Sequence, residues 1–258
     1  MSVKIDNSGR VVLVTGGTRG IGKGIAEAFL ATGAEVWVCG RKAVDALPSV
    51  GDRSARFVAC NVRDAEDVDR MISEIVAESG RLDVLVNNAG GAPHTDAATA
   101  SPRFTASIID LNLTSAIHCM VRANAQMQLQ EEGGQVVNIA SVSATRPSPG
   151  TAAYGAAKAG LLNITRSLAV EFAPKVRLNC VTAGLIETEQ SELHYGDAAG
   201  IARVASTVPL GRMGRPEDIA NACLFLTSPL AAYVSGTSIE LHGGGERPAF
   251  LEASTAKH

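Results

Sequence analysis

The sequence predicts an α/β domain: a single doubly wound, Rossmann-type domain with a parallel seven-stranded sheet and helices on both faces. Three observations carry that expectation. Short β-rich runs alternate with helical patterns along the chain, which implies a parallel sheet joined by right-handed crossovers. The first run, Val11, Val12, Leu13 and Val14, is continuously apolar, as expected of a strand buried on both faces. A glycine-rich turn follows at once, and Ile21, Ile25, Ala28 and Phe29 then recur at helical spacing.

Each element has its own signal. In the turn, Gly16, Gly20 and Gly22 let the backbone bend tightly and approach whatever sits above it, and unpaired N–H groups at the helix start favour a phosphate there. Residues 35–39 and 56–60 are the second and third strands. Between them Pro48 and Gly51 leave room for only a short helix. Residues 64–79 read as a helix capped by Asp64, with Val68, Met71, Ile72, Ile75 and Val76 on its apolar face. The fourth strand, 82–86, ends in Asn87–Asn88–Ala89–Gly90. A long helix over 102–131 is stopped by Gly133 and Gly134. Strand 135–140, an alanine-rich helix over 151–173 ended by Pro174, and strand 176–181 come next. Residues 183–208 show no firm pattern, and a helix over 216–226 and a strand at 238–241 complete the chain. With no repeat and no linker-like stretch, residues 1–258 make one domain.

Composition excludes several classes. A net charge of −3 without a basic cluster argues against nucleic-acid binding. The N-terminus lacks the apolar core of a signal peptide, and no apolar run is long enough to span a bilayer. The five cysteines (39, 60, 119, 180 and 223) are widely spaced with no CxxC pair. Reduced, buried thiols are therefore expected rather than disulfides or a metal site, and a cytoplasmic protein with them.

The chemistry lies in 141–158. Tyr154 and Lys158 are four apart on a helix and share a face. Ser141 ends a buried strand, at the sheet edge where ligands bind. Pro147, Pro149 and Gly150 turn the loop back, and small residues at 152, 153, 155–157, 159 and 160 permit close approach of a backbone or cofactor.

With TGGTRGIG at 15–22, NNAG at 87–90, Asn112, Ser141, YGAAK at 154–158 and NCVTAGLIET at 179–188 in this order, the chain resembles the short-chain dehydrogenase/reductase family from Val11 to Gly244, its 3-oxoacyl reductase-like members included. The resemblance implies hydride transfer between a nicotinamide cofactor and a carbonyl or secondary alcohol, with Asn112, Ser141, Tyr154 and Lys158 catalytic. Tyr154 would exchange the proton, Ser141 would hold the oxygen, and Asn112 would support a water that relays the proton. Lys158 would bind the nicotinamide ribose and lower the tyrosine pKa. A shift of three units takes about 4 kcal/mol, which one ammonium about 4 Å away can supply at an effective dielectric near 20. The implied cofactor contacts are Gly16, Thr18, Arg19, Gly20, Ile21, Gly22, Arg41, Asn61, Val62, Asn88, Ala89, Gly90, Tyr154, Lys158, Gly184, Ile186 and Thr188; no metal is implied.

At the end of the second strand a carboxylate would select NAD(H), but Gly40 and Arg41 stand there, with Arg19 in the turn, so NADP(H) is preferred and NAD(H) is the alternative. Asn61 stands where aspartate is expected beside the adenine, Ala183 where proline precedes Gly184, and His242 where aspartate is common. Ala183 is expected to loosen the loop over the nicotinamide. Residues 189–208 form a flap over the substrate, with Leu193, Tyr195, Ile201 and Val204 offering apolar contact, and 245–258 form a tail. Members acting on carrier-bound acyl groups use basic residues near the end of the fourth helix and on the fifth; Glu131, Glu132 and Val170 stand here, which disfavours an acidic carrier. A small-molecule carbonyl or alcohol substrate is expected, with an NAD-linked dehydrogenase of a hydroxyacyl-coenzyme A or of a bulky alicyclic or steroid-like alcohol as the alternative. A non-catalytic dinucleotide sensor would be free to lose its proton donor, and here the whole set is present. The resemblance also implies a homotetramer, with a dimer second: the long fourth and fifth helices pair across one twofold axis and the C-terminal strand meets its equivalent across another, while Ala249, Phe250 and Leu251 are apolar tail residues with little else to bury them.

Overall fold

The computed structural model describes residues 5–246 and 248–253. The chain runs β1 (Val11–Thr15), α1 (Gly20–Ala31), β2 (Glu35–Gly40), a hairpin of β3 (Ser49–Val50) and β4 (Arg53–Ser54), then β5 (Arg56–Ala59). It continues through α2 (Ala65–Ser79), β6 (Val84–Asn87), α3 (Pro102–Ile109), α4 (Ser115–Leu129), β7 (Gly134–Ser141), α5 (Ala152–Glu171) and β8 (Val176–Ala183). Two short helices, α6 (Glu192–Tyr195) and α7 (Ala198–Thr207), precede α8 (Pro216–Thr227), β9 (Ser238–Leu241) and α9 (Ala249–Ala253).

The main sheet has seven parallel strands in the order β5-β2-β1-β6-β7-β8-β9. Strand β1 shows why both faces are covered. Leu13 and its alternates join Trp37, Met71, Ile72, Met120 and Leu161 on one face, whereas Val12 and Val14 join Ile25, Phe29, Val86 and Ile219 on the other. Alternation with two apolar sets places α2, α4 and α5 on one side and α1 and α8 on the other. Strand order reverses between β1 and β6, so a crevice opens at their carboxyl ends.

Local signals set the helix ends. Asp64 accepts hydrogen bonds from the N–H groups of Glu66 (3.0 Å) and Asp67 (3.3 Å), and Gly80 closes α2 in the left-handed conformation. Ser101 caps α3, with Pro102 in its first turn.

Four expectations need correction. Residues 42–55 hold the β3–β4 hairpin instead of a short helix, since Gly51 takes a positive φ of 60° at its tip. The long helix is interrupted by a π-helical turn at Asp110–Thr114. There Asn112 and Ser115 side chains bond the carbonyls of Ile108 and Leu111, drawing them away from regular partners. Residues 183–208 carry α6 and α7 rather than being patternless. Residues Pro102–Leu129 are also long and apolar enough to cross a membrane by composition alone. Ala116, Cys119, Met120, Ala123 and Met127 pack into the core, which accounts for that composition as a core helix.

Candidate active site

The crevice is shaped first by backbone. Gly16 and Gly20 take positive φ, and Gly22 lies so close to Asn88 that an added Cβ would stand 2.4 Å from its Nδ2. Asn88 in turn donates to the carbonyls of Thr15 (3.0 Å) and Gly16 (3.2 Å). Thr15 Oγ1 accepts from the N–H groups of Asn88 and Ala89. The glycine turn and the end of β6 thus form one cradle. Thr18 and Ile21 are half-buried on it, and Arg19 is exposed. Thr15 was not among the sequence candidates; its place as first residue of TGG is the signal that could have found it.

Asn112 is buried on the π turn. Its Nδ2 donates to Gly91 O (3.0 Å) and Ile108 O (2.9 Å), while its Oδ1 accepts from Gly91 N–H (2.8 Å). The side-chain N–H groups are therefore spent on clamping the loop after β6 to the helix. Gly90 lies between Asn112 and Lys158: a Cβ there would stand 2.7 Å from Asn112 Oδ1 and 3.3 Å from Lys158 Nζ.

Ser141 ends β7, and its hydroxyl acts on Tyr154, holding the tyrosine pKa down in part. Lys158 is buried, its Nζ donates to Ile139 O at 2.8 Å, and it lies 5.6 Å from the Tyr154 ring centroid. Burial lowers its pKa from 10.5 to about 8. The expected lowering of the Tyr154 pKa does not follow. Burial raises it above the ordinary tyrosine value, Ser141 opposes that only in part, and the ammonium is turned toward the Ile139 carbonyl.

At the end of β2, neither the Arg19 nor the Arg41 guanidinium has a hydrogen-bond or ion-pair partner among the described residues. Asn61 N–H donates to Asp67 (2.6 Å), which fixes the loop that carries Asn61 and Val62. At the end of β8, Ala183 pairs with Ser141 and Leu241. Ile186 then bridges to Gly214, with Glu187 N–H donating to Gly214 O (2.8 Å). Thr188 N–H donates to Ser191 Oγ (2.9 Å). Gly184 abuts His242, where a Cβ would stand 2.7 Å from its Cα. The neighbouring Glu189 reaches across to the Gly20 N–H at 2.9 Å. In the flap, Leu193 is 81% exposed, whereas Tyr195, Ile201 and Val204 are half-buried.

The glycine turn and the Gly90 and Gly184 approaches suit an extended dinucleotide, and Ser141, Tyr154 and Lys158 meet beside it. A family model described as enoyl-(acyl carrier protein) reductase matches residues 16–246. A 3-oxoacyl-[acyl-carrier-protein] reductase of Synechocystis is 36% identical, over 91% of this chain and 96% of its own. A 3alpha-hydroxysteroid dehydrogenase of Mediterraneibacter gnavus is 35% identical, over 91% and 96%. Among solved structures, the aldohexose dehydrogenase of Thermoplasma acidophilum superposes with a TM-score of 0.85 at 30% identity, covering 93% of this chain and 94% of that one.

Proposed function

This chain belongs to the short-chain dehydrogenase/reductase family, oxidoreductases acting on CH–OH and C=O groups, and from that premise we propose that it exchanges a hydride between NADP(H) and a carbonyl or secondary alcohol, with Tyr154 carrying the proton. The observation that carries this reading is the meeting of Ser141, Tyr154 and Lys158 at the carboxyl ends of β7 and β8, beside the glycine cradle. The nicotinamide, when bound, supplies the hydride to the carbonyl carbon or takes it from the alcohol. Ser141 holds the substrate oxygen, and Tyr154 gives it a proton as negative charge develops. Burial raises the Tyr154 pKa, so the residue is protonated at neutral pH and ready to give its proton in the reducing direction. Lys158 binds the ribose hydroxyls, and Asn112 positions the loop that borders both.

NADP(H) is the preferred cofactor because Arg19 in the glycine turn and Arg41 after β2 have no partner among the described residues, with no carboxylate at Gly40. A second reading, a carrier-protein reductase, is favoured by the names of several relatives. The surface opposes it: Glu132 is held by Arg81, Val170 is exposed and apolar, and Lys175 turns its ammonium onto the carbonyls of Gln128 and Gln130. Five buried, unpaired thiols suit a reducing, cytoplasmic setting.

The cofactor assignment is tested by dissociation constants. A charge-assisted hydrogen bond is worth about 1.5–3 kcal/mol, so Arg41→Ala is expected to weaken NADPH about 10–100-fold and barely change NADH. Gly40→Asp fits sterically, the nearest atoms to a Cβ being 3.7 Å away, and is expected to shift the preference to NADH. A wild type that already prefers NADH, or equal weakening of both cofactors in Arg41→Ala, contradicts the assignment.

A further inference from the structure

One carboxylate ties the two lips of the crevice together. Gly20 N–H, at the start of α1, donates to Glu189 Oε1 at 2.9 Å. The approach is close: a Cβ on Gly20 would stand 3.7 Å from Thr188 Cγ2 and 3.9 Å from Glu189 Oε1. Helix α1 has no side-chain cap of its own. Arg19, which precedes it, makes no capping bond, and no acidic residue lies in its first turn. Glu189 therefore supplies, from the flap, the negative charge that a helix N-terminus favours.

The neighbours of Glu189 hold it in that place. Ile186 bridges to Gly214, and Glu187 N–H donates to Gly214 O, which fixes the chain just before it. Thr188 N–H donates to the hydroxyl of buried Ser191 (2.9 Å), and Ser191 N–H returns to Thr188 O (3.0 Å). Thr188 Oγ1 accepts from Gln190 N–H (3.3 Å). This locked turn aims Glu189 at the glycine turn. The side chain itself is exposed, and Gly20 is its one hydrogen-bond partner among the described residues. It can swing away while its backbone stays.

The same N–H groups are where a parallel sheet with a glycine turn places the diphosphate of a dinucleotide. We propose that Glu189 is the rival of that diphosphate: the two compete for the N-terminus of α1, so that Glu189 weakens the binding of every dinucleotide. The proposal rests on the cofactor reading above and deepens it. The carboxylate must leave Gly20 to admit the diphosphate, and once displaced it stands nearby as a like charge. The role differs from that of Arg41. A 2′-phosphate separates NADPH from NADH, whereas the diphosphate is common to both.

The test measures dissociation constants for NADPH, NADH and adenosine 2′-monophosphate in wild type, Glu189→Gln and Glu189→Ala. Glu189 is exposed, so both variants should keep the fold. Each variant is expected to bind both dinucleotides about three- to tenfold more tightly, as loss of one competing charge at a helix terminus allows. Adenosine 2′-monophosphate keeps the adenine and the 2′-phosphate but has no diphosphate, and its affinity should not change. The gain for the dinucleotides should shrink as salt is raised, because charge opposes charge. Unchanged or weaker dinucleotide binding in either variant, an equal gain for adenosine 2′-monophosphate, or a gain independent of salt overturns the proposal. A wild type that binds neither dinucleotide overturns the cofactor reading, and this proposal with it.

Discussion

Lys158 shows what the site costs the fold. It is buried, its charge faces one backbone carbonyl, and its pKa falls from 10.5 to about 8. Below pH 8 the lysine is charged in both folded and unfolded chains, so the folded state bears the full desolvation. Between pH 8 and 10.5 the folded chain releases the proton while the unfolded chain keeps it, and this group's contribution to stability rises with pH. The difference amounts to about 3 kcal/mol. Lys158→Met is therefore expected to be as stable as wild type or more so at pH 7, with turnover lost. Its stability relative to wild type should fall by up to about 3 kcal/mol as pH is raised to 10.5. Urea melts of the cofactor-free proteins measure this, and a difference independent of pH contradicts it. That Tyr154 and Lys158 share a face of α5 was legible from their spacing of four, and their role in hydride transfer was implied only by the family resemblance. Where the ammonium points was not legible. That depends on Ile139, which sequence spacing cannot place opposite Lys158.

At the scale of elements, the glycine turn works through contact as much as through flexibility. A methyl group on Gly22 would meet Asn88 Nδ2 and Gly16 O, both at 2.4 Å, and push α1 away from the end of β6. Gly22→Ala is expected to cost about 1–3 kcal/mol, as overpacking does, and to weaken NADPH binding. Gly40→Ala, with nothing nearer than 3.7 Å, should melt like wild type. Equal melting of the two variants contradicts the cradle geometry. The seven main strands and the longer helices were readable from runs such as 11–14 and from caps such as Asp64, because local preference and burial agree there. The β3–β4 hairpin escaped notice because its strands are two residues each and exposed, leaving no alternation to read. The π turn escaped for another reason. It goes with side-chain bonds from Asn112 to Ile108 O and from Ser115 to Leu111 O, which hydrophobic spacing does not record.

At the scale of the whole molecule, apolar side chains remain uncovered where the family resemblance expects partners. Val121 and Leu129 on α4 and Val170 on α5 are 52%, 82% and 78% exposed. Strand β9 is one edge of the main sheet, β5 being the other. Exposed apolar patches and an open edge both favour association. We propose a homotetramer with α4 and α5 on one twofold axis and β9 on another, a dimer being the second choice. Of the tail residues expected to contribute, Phe250 is 70% exposed, and the side chain of Leu251 lies outside the described residues. Sedimentation at micromolar concentration is expected to show the tetramer, and a monomer alone contradicts it.

The most direct test follows NADPH consumption and alcohol formation together, in wild type and Tyr154→Phe, with a ketone that wild type reduces. Only a hydroxyl is removed, so NADPH should bind the variant nearly as well as it binds wild type. Turnover should fall by about 10²–10⁴-fold, the usual worth of a positioned proton donor. Wild-type turnover in Tyr154→Phe would contradict the assignment of the proton to this residue.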